Sequence, residues 1–95
     1  MEMKTLEKEL LKALRAVDGK ERLLGDLLQE ILTPAELQAL RRRWKIMRLL
    51  HAGYTQRQVA RMLRCSLCNV TRGARVLKRP DGLMRCILDT HWPKR

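Results

Sequence analysis

Between Thr55 and Lys78 the chain reads TQRQVARMLRCSLCNVTRGARVLK, and few architectures accommodate that pattern. Val59, Ala60, Leu63, Cys65, Leu67 and Val70 fall where two helices crossing at a steep angle bury side chains against each other, with small Ala60 at the close approach. Thr55 is placed to cap a first helix running to Leu63, and Ser66 to cap a second running to about Lys78. The turn between them is Arg64-Cys65. Such turns favour a residue with positive φ, commonly glycine, so Arg64 there costs about 1 kcal/mol. The spacing therefore predicts a helix-turn-helix within residues 55–78, with a cation-rich second helix of the kind that enters a DNA major groove.

At 95 residues the chain has room for one domain, residues 1–95. A domain this small leaves much apolar surface near solvent unless a second subunit covers it, so a homodimer is expected. Hydrophobic residues make up 45% of the chain, yet there is no Phe, one Tyr and two Trp, which leaves Leu, Val, Ile and Met to fill the core. That composition suits an all-α fold better than sheets.

Lys and Arg number 21 against 10 Asp and Glu, a formal net charge of +11 that repels itself unless a polyanion is the intended neighbour. Nucleic acid is the expected partner. No membrane partner is expected, because the longest apolar runs fall far short of the roughly 20 residues needed to span a bilayer. Charges interrupt the opening MEMKTLEKELLKALR every two or three residues, unlike a signal peptide, and the expected location is cytoplasmic. The three cysteines, Cys65, Cys68 and Cys86, are an odd number without an export signal, which favours thiols over a disulfide framework. Cys65-x-x-Cys68 raises zinc or redox chemistry, but Cys86, His51 and His91 supply no second paired spacing for a four-ligand site. Core packing at Cys65 and surface exposure at Cys68 is the better reading, and no metal is assigned.

Upstream, Leu6, Leu10, Leu11, Leu14 and Val17 form one apolar stripe on a helix with Thr5 as its N-cap, stopped at Asp18-Gly19. A second helix spans Lys20 to Glu30, and Leu23, Leu24, Leu27, Leu28 and Ile31 give it more apolar area than a short helix buries alone. Thr33-Pro34-Ala35-Glu36 is a strong helix start: a hydroxyl cap, proline at the first position, and a glutamate that bonds back. This third helix runs to about Ala52 and ends at Gly53. Leu37, Leu40, Trp44, Met47 and Leu50 give it an apolar face, with Arg41, Arg42, Arg43, Lys45 and Arg48 on or beside the opposite side. After Pro80-Asp81-Gly82, a short last helix carries Leu83, Met84, Ile87 and Leu88 before the tail His91-Trp92-Pro93-Lys94-Arg95.

Placed in a major groove, the second helix of the motif presents Ser66, Leu67, Cys68, Asn69 and Thr71, a mix able to meet thymine methyls and base-edge hydrogen bonds. Asn69 is the best single candidate for an adenine contact; the alternative is that it merely faces water. Gln56 and Arg57 start the supporting helix where N–H groups and a cation can hold phosphate. Arg61, Arg64, Arg75, Lys78 and Arg79 add to phosphate neutralisation. Enzymatic readings find no serine-histidine-acid set and no phosphate-cradling glycine loop, so no catalytic residue is assigned. His51, near its helix C-terminus, reads as a residue complementing the helix dipole.

The segment Ile31 to Lys78 resembles the tryptophan repressor family. The residues carrying the likeness are Leu32-Thr33-Pro34-x-Glu36-x-x-Ala39-Leu40, Arg43-Trp44, Leu49-Leu50, Thr55-Gln56-Arg57, and Thr71-Arg72-Gly73 followed by Leu77-Lys78. Thr71-Arg72-Gly73 is the most specific piece, since a generic DNA-reading helix has no need of glycine in its middle.

The resemblance implies a six-helix protomer intertwined with a second copy, leaving two helix-turn-helix heads to reach successive major grooves of operator DNA. It also implies L-tryptophan bound between core and head as co-repressor, biasing the heads toward the spacing an operator requires. Arg43 and Arg72 match the arginines that sandwich the indole, and Gly73 the glycine that leaves room for the ring. Ile31, Leu32 and Thr33 match the stretch whose backbone carbonyls, donated by the other subunit, receive the ligand's ammonium. The serine that also meets this ammonium is replaced here by Val76, which cannot accept a hydrogen bond, and losing one to a charged group costs about 1.5 to 3 kcal/mol. The expected effector is therefore an aromatic amino acid or a related indole, with an acid lacking the amine as one option. The alternative for Arg43 and Arg72 is a phosphate or surface role in a ligand-independent architectural or constitutive nucleic-acid binder. A third reading, disfavoured by charge, is a protein-docking module.

Overall fold

A computed structural model describes residues 3–93, and among them the chain forms six α-helices and no strand. The helices are α1 (Met3–Ala16), α2 (Glu21–Ile31), α3 (Pro34–Ala52), α4 (Gln56–Leu63), α5 (Leu67–Leu77) and α6 (Leu83–His91). The chain separates into two compact units, one up to Leu37 and one from Gln38 onward.

In the first unit, α1 already runs at Met3, so Thr5 lies inside the helix instead of capping it, and no acidic residue falls in its first turn. Nothing in the preceding residues breaks a helix, since Met and Lys are good helix formers. The expected stop holds: Gly19 takes φ +74°, a conformation that glycine adopts freely. Leu14 and Val17 are half-buried, whereas Leu10 and Leu11 are exposed; the side chain of Leu6 lies outside the described residues. α2 has no buried residue, and Leu23, Leu24 and Ile31 all stand exposed on it.

The start of α3 is the expected box. The Thr33 backbone N–H donates to Glu36 Oε1 at 2.9 Å, and the Glu36 N–H donates to Thr33 Oγ1 at 3.2 Å. The Thr33 N–H, and after it the Thr33 hydroxyl, hold the Glu36 carboxyl below the usual glutamate range.

The second unit is built around Ile46 of α3, Val59 of α4 and Val70 of α5, with Leu49, Leu50, Ala60, Leu63 and Cys65 packed against them. Two expectations change here. On α3 the buried apolar residue is Ile46, not the stripe through Leu40 and Trp44, both of which are exposed. Ile46 faces α5 where Gly73 has no side chain, so α3 presents that side to the core. Leu67 is also exposed rather than buried between α4 and α5, because it opens α5 immediately after the Ser66 cap and stands beyond the crossing. α4 and α5 pack on each other, and α6 packs on α5, burying Leu88 completely.

Candidate nucleic-acid interface and ligand cleft

The geometry of the α4–α5 pair is set by two caps and one left-handed residue. At α4, Thr55 Oγ1 accepts from the Gln58 N–H at 3.2 Å while Gln58 Oε1 accepts from the Thr55 N–H at 2.8 Å, a reciprocal box. At α5, Ser66 Oγ accepts from the Asn69 N–H at 3.3 Å. Between them Arg64 adopts φ 52°, ψ 46°, the left-handed conformation expected of the turn, and among the described residues it is the one non-glycine at positive φ. A side chain in that region costs about 1–2 kcal/mol, so the turn is held by the packing of the helices it joins.

This frame leaves Ser66, Leu67, Cys68 and Asn69 exposed along the opening of α5. Thr71 does not join them. It is half-buried, and its hydroxyl donates to Gln56 Oε1 at 2.9 Å, tying α5 to the start of α4. The expectation of an outward Thr71 is thus corrected: one turn deeper than Ser66, it already faces the supporting helix. Gln56 keeps its amide NH2 group outside that bond. Arg57, Arg61, Arg64, Arg75, Lys78 and Arg79 are all exposed, and Cys65 is half-buried against the core. Beyond Glu36 the sequence contains no acidic residue except Asp81 and Asp89. The second unit therefore carries the positive excess of the whole chain, and neither α4 nor α5 holds a carboxylate to neutralise it.

Behind the exposed face of α5 lies a cleft of about 190 Å³ between α3 and α5, lined by Arg43, Ile46, Met47, Asn69, Arg72, Gly73, Val76 and Met84. A smaller hollow of about 70 Å³ beside it shares Arg43, Ile46, Asn69 and Arg72 and adds Ala39 and Arg42. Arg43, Arg72, Gly73 and Val76, chosen from the sequence for one site, thus border one cleft, and Asn69 joins them. Gly73 has a reason for being glycine that sequence does not reveal: a Cβ there would stand 2.7 Å from Ile46 Cγ2. Ile31, Leu32 and Thr33 belong to the other compact unit, where Ile31 ends α2 and Thr33 caps α3.

A larger cavity of about 540 Å³, not anticipated from the sequence, lies where α3 ends, α4 begins and α6 passes α5. His51 is buried in its wall, and Nε2 lies 2.7 Å from Asp89 Oδ1. His51 is thus part of a cross-helix contact and not only an end residue of its helix. These partners lie 38 positions apart, so no local spacing exposes the pair.

A family model described as Trp repressor protein matches residues 5–91. The chain belongs to the Trp repressor family. No curated protein and no solved structure matches it. The matched span takes in all of α2 to α6, and with them both the exposed opening of α5 and the cleft behind it. The family is one of DNA-binding regulators and not of enzymes. Among the described residues, no helix is long and apolar enough to cross a membrane.

Proposed function

We propose that the chain is a sequence-specific transcriptional repressor that binds operator DNA as an intertwined homodimer, α4 and α5 of each copy forming a helix-turn-helix head. The observation that carries this reading is the surface of α5. Its capped first turn leaves Leu67, Cys68 and Asn69 free to meet base edges, on a unit whose charge is almost wholly positive. Ser66, Leu67, Cys68 and Asn69 face the groove, with Gln56, Arg57, Arg61, Arg75 and Lys78 on flanking phosphates and Thr71 holding Gln56 in place. The homodimer is supported by the first unit, where Leu10, Leu11, Leu23, Leu24 and Ile31 are exposed together on helices too small to bury them.

The α3–α5 cleft supports control by an aromatic amino acid or indole such as L-tryptophan. Arg43 and Arg72 are suited to stacking on its ring and meeting its carboxylate, while Ile31, Leu32 and Thr33 of a second copy supply backbone acceptors. Bound there, the ligand favours the DNA-binding arrangement of the heads. The concentration of positive charge also suits a ligand-independent, architectural nucleic-acid binder, and the two readings separate on ligand-dependent stability. A ligand at about a hundred times its dissociation constant adds about 2.7 kcal/mol, so an aromatic effector raises the melting temperature, whereas a constitutive binder shows no shift.

Two substitutions test the DNA interface. Asn69→Ala weakens binding to a duplex selected from a random pool more than to random duplex, whereas Arg57→Ala weakens both alike and lowers the salt slope by about one. Equal losses from Asn69→Ala on both duplexes would remove Asn69 as a base reader.

A further inference from the structure

We propose that Arg85 of α6, outside the helix-turn-helix, binds a backbone phosphate of the DNA duplex at the large cavity where α3 ends and α4 begins, and that Asp89 positions it there; the inference rests on reading α4 and α5 as a DNA-binding head. The cavity continues that head. Gln56 and Lys78, already placed on flanking phosphates, border it together with Arg85, and Lys78 and Arg85 are both exposed. Tyr54 adds an exposed hydroxyl donor, and Leu50, Ala74 and Leu77 add an apolar wall suited to the carbon face of a deoxyribose. At about 540 Å³ the space is of the size that takes a drug-sized molecule, so a sugar with its phosphate fits.

Arg85 is held in place from two sides. Asp89 Oδ1 lies 2.7 Å from Nε2 of buried His51, which fixes the carboxylate from α3, and Asp89 Oδ2 lies 3.7 Å from Arg85 Nε one turn away on α6. Arg85 Nη1 donates to the Leu77 carbonyl at the end of α5 at 3.5 Å. A guanidinium has five N–H donors, so these two contacts leave others for an anion, and a side chain already braced loses less freedom on binding one. The charge at the cavity favours a duplex over a small anion. Asp89 offsets one of the two cations, Lys78 and Arg85, so a free anion finds little excess to hold it. A duplex needs only one contact here, because Arg57, Arg61 and Arg75 hold its other phosphates.

The experiment measures affinity for random duplex across a salt series, for the unaltered full chain and for Arg85→Ala, Arg85→Lys and Arg57→Ala. Arg85→Ala is expected to make the salt slope shallower by about one and to weaken binding by about tenfold near 0.1 M salt. The loss is expected to be the same on a selected duplex, because a phosphate contact carries no sequence information. Arg85→Lys retains a cation and is expected to keep the slope while losing the guanidinium's brace and part of the affinity. An unchanged slope in Arg85→Ala, beside a shallower one in Arg57→Ala, overturns the inference and leaves the DNA-binding head standing. Equal flattening by Arg85→Lys and Arg85→Ala also overturns it, since Arg85 then acts on the fold and not through its charge. Calorimetric binding of a nucleoside monophosphate that Arg85→Ala abolishes, with duplex affinity unaffected, overturns it in favour of a small-molecule site. Absence of salt-dependent duplex binding by the unaltered chain overturns the DNA-binding reading as well.

Discussion

At the scale of single residues, position 73 leaves no room for a side chain. A methyl group there meets Ile46 Cγ2 at 2.7 Å, with Met47 Cγ at 3.6 Å and Leu50 Cδ1 at 3.8 Å behind it. Ile46 is almost fully buried, so its facing methyl can yield only by repacking against its neighbours or into the adjoining cleft. Gly73→Ala is therefore expected to destabilise the chain by about 1–3 kcal/mol in urea denaturation, and by less in an Ile46→Ala background where the facing methyl is gone. The sequence marks this glycine as unusual in mid-helix, but its packing partner stays hidden. Ile46 sits beside a longer run of apolar residues on α3, and only the approach of α5 decides which of them is enclosed. Arg64 is the converse case, legible in advance because its turn needs a positive φ. Arg64→Gly relieves left-handed strain of about 1–2 kcal/mol but loses about 0.5–1 kcal/mol to the freer unfolded chain, a net gain of up to about 1.5 kcal/mol. The same variant lacks an exposed cation, so it is expected to melt higher yet bind DNA more weakly, with a shallower salt dependence. A lower melting temperature would mean that Arg64 has a stabilising partner.

At the scale of elements, the helices were largely written in local signals, because caps and breakers act over three or four residues. Thr33-Pro34-x-Glu36, Thr55, Ser66 and Gly53 mark boundaries that the structure reproduces to within about a residue. The start of α1 was not legible, since nothing upstream of Thr5 forbids another turn of helix. The box at α3 has an acid-dependent signature. The bond from the Thr33 N–H holds the Glu36 carboxyl below its ordinary value near 4.5. A carboxylate lowered in the folded state stabilises the helix start above its ordinary pKa, and that contribution disappears as pH falls through the lowered value. An NMR titration is expected to find the Glu36 midpoint below 4.5, with the Thr33 amide resonance moving alongside it. Glu36→Gln keeps a bonding partner for Thr33 and abolishes the movement. A midpoint at or above the ordinary value would mean that the box opens in solution. Contacts between distant elements had no such local trace. Thr71 with Gln56, and His51 with Asp89, join helices through residues whose spacing encodes nothing.

At the scale of the whole molecule, charge is divided between the two units, whereas large apolar residues stand exposed on both. The first carries more acid than base and exposes Leu10, Leu11, Leu23, Leu24 and Ile31; the second carries the positive excess and the α3–α5 cleft. A surface short of burial and a surface short of counter-charge are different deficits, and the proposed assembly meets each with a different partner: a second copy for the leucines, duplex DNA for the cations. The net charge and the leucine surplus were visible in composition, and the family likeness in Thr71-Arg72-Gly73. The convergence of Arg43, Asn69, Arg72 and Val76 on one cleft depends on how α3 and α5 approach, which no single helix specifies.

The measurement that bears most directly on the DNA reading is selection of binding sites from a randomised duplex pool, followed by sequencing. Paired heads aimed by the openings of two α5 helices are expected to enrich a two-fold symmetric sequence whose half-sites lie about one helical turn, roughly 34–36 Å, or a multiple of it, apart. Retention of duplex without any enriched sequence, or enrichment of a single unpaired half-site, would contradict it.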